Sequence, residues 1–416
     1  MPLSRRSFLG QVAATTVASA INTLPAVAKA KRPAKVLLRS SWQTVNIGDI
    51  AHTPGMVRLI GEHLPEVEVT LWPASIGEPE RAMLTKNFPK LRYAQTADEV
   101  KKAFAECDFL LHGSGPSLVA QKQVAQWKET TNKPYGVLGI TLNSLDEPTR
   151  ATLDGAKFVY FRDTLSLKFA KAKDLKCPVL EFAPDAAFAV NLRNDDLALP
   201  FLKKHGLEDG QFLCAIPKFR NTPYWLIYNR TMTDADKAKD AVNQKFKEHD
   251  LGMIREALLT FVRTTKKKVL LCPEDKSHMA IHKEMIFDKL PDDVKERFVW
   301  RPDYWITDEA VSVYVRSLGL LSMDMHSPIM AVANGIPAIH CRFEQQTTKG
   351  QMWNDIGLND WLFDLDKEKD ASNITNAVLA IAADPAVAKK TVAKAMTVVT
   401  KRFAEVMKTL AANLPQ

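Results

Sequence analysis

From Lys35 onward the chain alternates short apolar runs of strand length with amphipathic, helix-period stretches, and few folds accommodate that alternation. A strand followed by a helix, repeated, returns each strand parallel to the last and covers both faces of the resulting sheet. The first series of expected strands is Lys35–Leu38, Val67–Trp72, Asp108–His112, Gly136–Thr141, Phe158–Phe161 and Val179–Phe182. Helices are expected between them at Pro54–His63, Ala97–Glu106 and Leu165–Lys173. A second series follows at Phe212–Ile216, Lys268–Cys272, Phe298–Arg301, Leu318–Ser322, Pro337–His340 and Trp361–Phe363. Its helices are expected at Ala235–Thr264, Ile281–Leu290, Ile306–Arg316 and Pro328–Asn334. The apolar runs lapse between Asn191 and Gly206, where charged and loop-forming residues take over. The expected fold is therefore α/β: two Rossmann-like doubly wound domains, residues 31–195 and 206–384, facing across a cleft. A C-terminal helix, within 385–416, is expected to pack back on the first domain.

Ahead of this body stands Ser4-Arg5-Arg6-Ser7-Phe8-Leu9, then a weakly apolar stretch to Val27 and two overlapping small-residue patterns, Ala26-Val27-Ala28 and Ala28-Lys29-Ala30. Paired arginines, an apolar segment and small residues in that order resemble a twin-arginine (Tat) signal peptide over residues 1–30. Export by the Tat machinery to the periplasm or cell envelope is the expectation, with the mature chain folding before it crosses. About 386 residues then remain, enough for two domains. The net charge of +8 is modest, and three of the positive charges sit in the leader. Nucleic acid is not an expected partner, because no basic run carries interleaved aromatics. The five cysteines, Cys107, Cys177, Cys214, Cys272 and Cys341, share no metal-ligand spacing and read as buried small hydrophobes.

In doubly wound sheets, ligands bind beyond the carboxyl ends of the strands, so chemistry is sought there. Asn46-Ile47-Gly48-Asp49 follows the first strand; Gly48 lets backbone approach a ligand, and Asp49 reads as a helix cap or a base. Gly113-Ser114-Gly115 follows the third, a small-residue turn expected to aim amide donors into the cleft. Arg162-Asp163 with Ser166, then Pro184-Asp185, follow later strands. In the second series Asp324-Met325-His326 opens a helix, and Arg342-Phe343-Glu344 and Lys349 lie beyond the next strand. His278 and His282, four apart with Asp275 upstream, share a helix face that a zinc ion could use, but no third ligand is fixed and the segment reads as polar surface. Neither a metal nor a cofactor is expected. Phe219 to Tyr228 is an aromatic, loop-like stretch, read as either a sugar-stacking surface or inter-domain packing.

Taken in order, the Asn-x-Gly-Asp motif, the glycine-rich turn, Arg-Asp-x-x-Ser, Pro-Asp, and a histidine at a helix start before Ala-x-x-x-Gly-x-Pro resemble the polysaccharide pyruvyl transferase family. The resemblance runs over about Lys35–Lys349. It implies a GT-B-like fold and transfer of a pyruvyl group from a phosphoenolpyruvate donor to a hydroxyl of a glycan acceptor, forming a ketal. On this reading Asn46, Gly48 and Asp49 lie on the acceptor side, Arg162 faces an anion, and His326 stands beside the donor. Lys349 is the basic residue after the last strand. Asp49, His326 and Asp324 are the candidate catalytic residues. Gly113, Ser114, Gly115, Asp185 and Glu344 join the substrate-binding set.

One departure matters. The resemblance calls for arginine where Asp324 stands, which changes local charge by two units and repels an anionic donor. Arg301 and Arg342, each at the end of another strand, are the candidates to compensate. Phosphoenolpyruvate is also a cytoplasmic metabolite, at odds with export. Two alternatives follow: an exported carbohydrate-binding protein without turnover, and a different transfer or hydrolysis using Asp324 and His326.

Overall fold

The computed structural model of the chain describes residues 32–346 and 348–415; the export signal expected over residues 1–30 lies outside them. Among the described residues, no helix is long and apolar enough to cross a membrane. The strands are β1 (Lys35–Ser40), β2 (Glu68–Pro73), β3 (Arg92–Tyr93), β4 (Phe109–His112), β5 (Tyr135–Ile140), β6 (Val159–Phe161) and β7 (Leu180–Phe182). They continue with β8 (Phe212–Ile216), β9 (Lys268–Leu271), β10 (Phe298–Trp300), β11 (Gly319–Ser322), β12 (Ala338–Arg342) and β13 (Leu362–Asp364). They build two sheets, ordered β3-β2-β1-β4-β5-β6-β7 and β10-β9-β8-β11-β12-β13, with every pairing parallel. Each sheet reverses its winding once, between β1 and β4 in the first and between β8 and β11 in the second. A crevice opens at such a reversal because the flanking helices leave on opposite faces.

The central strands β4, β5, β8 and β11 are buried along their whole length because both faces are covered. One apolar cluster packs the outer face of the first sheet, around Trp127, Leu110 and Phe161, and another that of the second, around Phe261, Leu271 and Leu321. The third is shared. It runs from Val36, Leu38 and Phe109 through the helix Ile47–His63 to the helix His326–Ala333 and on to Phe212 and Leu320. A continuous dry core thus joins the two sheets.

Backbone bonds reinforce that junction. Ile47 N donates to Glu274 O at 2.9 Å and Lys276 N to Val45 O at 3.0 Å, making Asn46 and Asp275 an antiparallel bridge. Farther along, the Asp355 carboxylate accepts from Thr164 N at 2.8 Å and Thr164 Oγ1 at 2.6 Å. The helix Pro385–Ala412 reaches the first sheet, with Thr409 Oγ1 2.8 Å from the Tyr160 hydroxyl.

Two elements differ from expectation in ways that bear on the site. The first helix begins at Ile47, well before Pro54, because Asn46 caps it: Asn46 Oδ1 accepts from Gly48 N at 2.7 Å. Strand β12 runs on to Arg342, which becomes the cross-strand partner of Asp364.

Candidate functional site

The carboxyl ends of β1, β5, β6 and β7 bring Asp49, Thr141, Arg162 and Asp185 toward the carboxyl ends of β8 and β11, with Lys218 and His326. Asp185, fully buried, is the centre of the first group. It accepts from His52 Nδ1 at 2.9 Å, from Arg162 Nη1 at 2.9 Å and from Ala187 N at 2.9 Å. Burial alone would push this carboxyl up, but His52 and Arg162 outweigh it and hold Asp185 far below the usual carboxylate range. An ionised Asp185 requires His52 to donate through Nδ1, so in the neutral ring Nε2 carries the lone pair. That Nε2 has no hydrogen-bond partner and stands 3.8 Å from Asp49 Oδ1. A carboxylate that fixes the tautomer of an imidazole and leaves its other nitrogen open is the arrangement of a general base.

Edge-on to His52, with ring centroids 4.9 Å apart, lies His326 from the other sheet. Among the described residues His326 is the one buried histidine with neither ring nitrogen hydrogen-bonded, its Nδ1 standing 3.4 Å from Glu274 Oε1. Burial and then His52 lower its pKa to about 3, so the ring is neutral at working pH and offers one N–H and one lone pair. Gly48 makes room for it: a Cβ there would lie 2.3 Å from the imidazole. The first motif's glycine therefore serves close approach of a side chain from the opposite sheet, while its asparagine caps the helix. Arg162 completes the group, its Nε donating to Thr141 Oγ1 at 2.7 Å and its Nη2 buried without a partner.

The second group is built around Asp324, expected as a catalytic carboxylate and found in an ion pair. Lys218, directly beyond β8, places its ammonium 2.9 Å from Asp324 Oδ2. Burial raises the aspartate, but Lys218 and His278 outweigh it and keep it ionised far below its ordinary range, so it has no proton to trade. The expected repulsion of an anion is cancelled by the same lysine. His278 and His282, expected on polar surface, are buried. His278 Nδ1 accepts from Glu274 N at 3.1 Å, which leaves the hydrogen on Nε2, 3.2 Å from Asp275 Oδ2. Glu274 links the groups by capping the His326 helix, accepting from Ser327 N at 2.6 Å. Burial and then Asp324 raise its carboxyl to about 8.

Two triplets hold ligand atoms within 4.8 Å of one another, His52 with Asp185 and His326, and Asp275 with His278 and Asp324. Neither suits a metal ion, because Asp185 is committed to Arg162 and Asp324 to Lys218, so an added cation would face a like charge in each.

The other expected residues divide. Lys349 is half-buried, and burial followed by Arg162 lowers its pKa while Asp324 and Asp49 oppose the shift. Asp163 and Ser166 are structural: Asp163 caps the helix Thr164–Ala172 through Ser166 N at 2.7 Å and accepts from Thr348 Oγ1 at 3.2 Å beside Lys349. The Gly113 and Gly115 amides do not face the cleft as expected. Gly113 N donates to Arg39 O and Gly115 N to Gly139 O, while Ser114 Oγ accepts from Ala186 N at 2.9 Å, all packing bonds. Neither arginine proposed to compensate for Asp324 is drawn in. Arg301 is 2.7 Å from Glu309 and stacks on Phe201 and Trp305, and Arg342 pairs with Asp364 at 2.5 Å. Glu344 is exposed beyond β12. Sequence reasoning missed His52 and Lys218. His52 follows Asp49 by one helical turn, and Lys218 follows an apolar strand at the position searched elsewhere.

Solved structures share the architecture at low identity. A UDP-GlcNAc 2-epimerase from Methanocaldococcus jannaschii is 12% identical with a TM-score of 0.55, covering 83% of this chain and 91% of its own. The Anabaena protein HepE, in complex with UDP and glucose, is 12% identical with a TM-score of 0.52, covering 91% and 98%. These likenesses establish a two-domain, GT-B-like α/β fold. No curated protein matches the chain. The family model for polysaccharide pyruvyl transferase matches residues 46–343, from the asparagine that caps the first helix to the end of β12, and the chain therefore belongs to the polysaccharide pyruvyl transferase family.

Proposed function

We propose that the protein transfers a pyruvyl group to hydroxyls of a cell-envelope or exported glycan, with phosphoenolpyruvate as donor. The observation that carries this reading is the Asp185-oriented His52 set against His326, whose two ring nitrogens make no hydrogen bond. His52 Nε2 takes the proton of the sugar hydroxyl as its oxygen bonds to the donor's central carbon, with Asp49 steering the hydroxyl. The methylene carbon receives a proton and becomes the methyl group. A second hydroxyl then displaces inorganic phosphate and closes the ketal. Lys349 and the free Arg162 Nη2 hold the donor carboxylate, and neutral His326 donates to it. Positioned proton transfer of this kind contributes roughly 10²–10⁴-fold.

One observation favours a second reading, hydrolysis of an existing pyruvate ketal. Arg162 is neutralised by Asp185 and Lys218 by Asp324, leaving Lys349 as the cation without an ion-pair partner among the described cleft residues. A ketal brings one carboxylate to that lysine, whereas phosphoenolpyruvate adds a phosphate. Water would then take the place of the displacing group, releasing pyruvate and a diol. Purified protein incubated with phosphoenolpyruvate and glycans, and separately with pyruvylated glycan, decides between them. Phosphate release supports transfer, pyruvate release supports hydrolysis, and neither would reject both. Export, read from Arg5 and Arg6, belongs to the same proposal because it sets which glycan the cleft meets.

A further inference from the structure

The segment Phe219–Tyr228 is pinned as firmly as any core loop, yet it displays apolar surface. Arg220 is held by Asp250 at 2.7 Å and Asp366 at 2.7 Å and lies over the Phe246 ring at 3.7 Å. Asn221 exchanges hydrogen bonds with the Asn243 side chain at 2.8 and 2.9 Å, and Thr222 Oγ1 donates to Asp275 at 3.1 Å. Trp225 is buried beneath. On this base Tyr228 is 52% and Leu226 67% exposed, and Tyr228 stacks on Tyr224 at 6.0 Å with ring planes 13° apart.

The platform is wired to the site. The Tyr224 hydroxyl accepts from Gln43 Nε2 at 3.2 Å, and the same amide nitrogen donates to the Asp49 carboxylate, which faces His52. A flat apolar face thus meets a row of planar polar groups that leads to the proton-transfer centre. A pyranose ring has the matching surfaces, C–H groups on one face and hydroxyls at the rim. A protein partner would need an interface of about 1,000 Å², far beyond what two tyrosines and a leucine offer.

We propose that Tyr228 and Tyr224 form a stacking subsite for a pyranose of the glycan, placed so that its hydroxyl rim runs along Gln43 toward Asp49. The inference rests on the glycan reading of the cleft but not on which group is transferred. Its test is therefore a binding measurement. Saturation-transfer-difference NMR on the intact protein with methyl β-D-galactopyranoside, methyl β-D-glucopyranoside and N-acetylglucosamine oligomers reads ring-proton contact directly. Transfer to the C–H protons of one ring face is expected with at least one probe. Binding should fall about tenfold or more in Tyr228→Ala, survive in Tyr228→Phe, and survive in His52→Gln, which removes turnover by either route. Loss of turnover with binding intact would separate a failure of the chemistry from a failure of the subsite. Equal binding by the wild type and Tyr228→Ala, or no contact with any probe, would overturn it.

Discussion

Two buried histidine–carboxylate groups face each other where the sheets meet, and they differ in what is left unspent. Around Asp324, the carboxylate has its lysine, and His278 has its backbone donors on one side and on the other an Nε2 that makes no hydrogen bond but stands 3.2 Å from Asp275 and 3.8 Å from Asp324. Around Asp185, the carboxylate is equally well paired, but His52 Nε2, both nitrogens of His326 and Arg162 Nη2 make no hydrogen bond, with Asp49 3.8 Å from His52 and Glu274 3.4 Å from His326 Nδ1. Unsatisfied buried polar atoms cost stability, about 1–3 kcal/mol each, and a fold that keeps four of them together is holding places for a ligand. Composition alone would rank the groups as equals. The number of open atoms separates them, four around Asp185 against His278 Nε2 alone around Asp324.

The comparison is broken most directly by removing one member from each group. His52→Gln keeps a hydrogen-bonding side chain but no base, and turnover should fall roughly 10²–10⁴-fold, measured as phosphate or pyruvate release. Unchanged turnover would move the chemistry elsewhere. Asp324→Asn should act on stability instead, because it strands a buried lysine, at a cost of about 3–5 kcal/mol by chemical denaturation. Replacing both partners, Lys218→Met with Asp324→Leu, should recover most of that loss. Turnover per folded molecule falling with Asp324→Asn as far as with His52→Gln would erase the distinction.

A pH dependence tests the link between the groups. Glu274 is raised to about 8 by burial and by Asp324, from an ordinary value of 4.5. Its folded form holds the proton more tightly than the unfolded chain, so its contribution is present below the unfolded value and lost as pH rises through the folded one. Wild-type stability should decline from about pH 5 to pH 8 relative to Glu274→Gln, read as a melting-temperature difference that grows with pH. A constant difference would mean that Glu274 is ionised throughout and that Asp324 is not felt there.

Much of this was legible beforehand, for identifiable reasons. Strands buried on both faces announce themselves as unbroken apolar runs, which is why β4, β8 and β11 were placed to within a residue or so, while the two-residue edge strand β3 carried no signal. Asp49, Arg162, Asp185, His326 and Lys349 could be found because doubly wound sheets put ligands after strands. His52 was hidden inside a helix whose start Pro54 disguised. Arg301 and Arg342 misled because a strand end says where a side chain begins and not which neighbour claims it. Glu309 and Asp364 do so here.

If the open group, and not the paired one, receives the anion, the histidines of the two groups respond to it differently. Histidine ¹⁵N NMR of the uniformly labelled protein, titrated with phosphoenolpyruvate and then with pyruvate, reports on each ring without needing an acceptor. The His52 and His326 resonances should move together with added anion while His278 stays in place. Movement of His278 with His52 and His326 unchanged would contradict it.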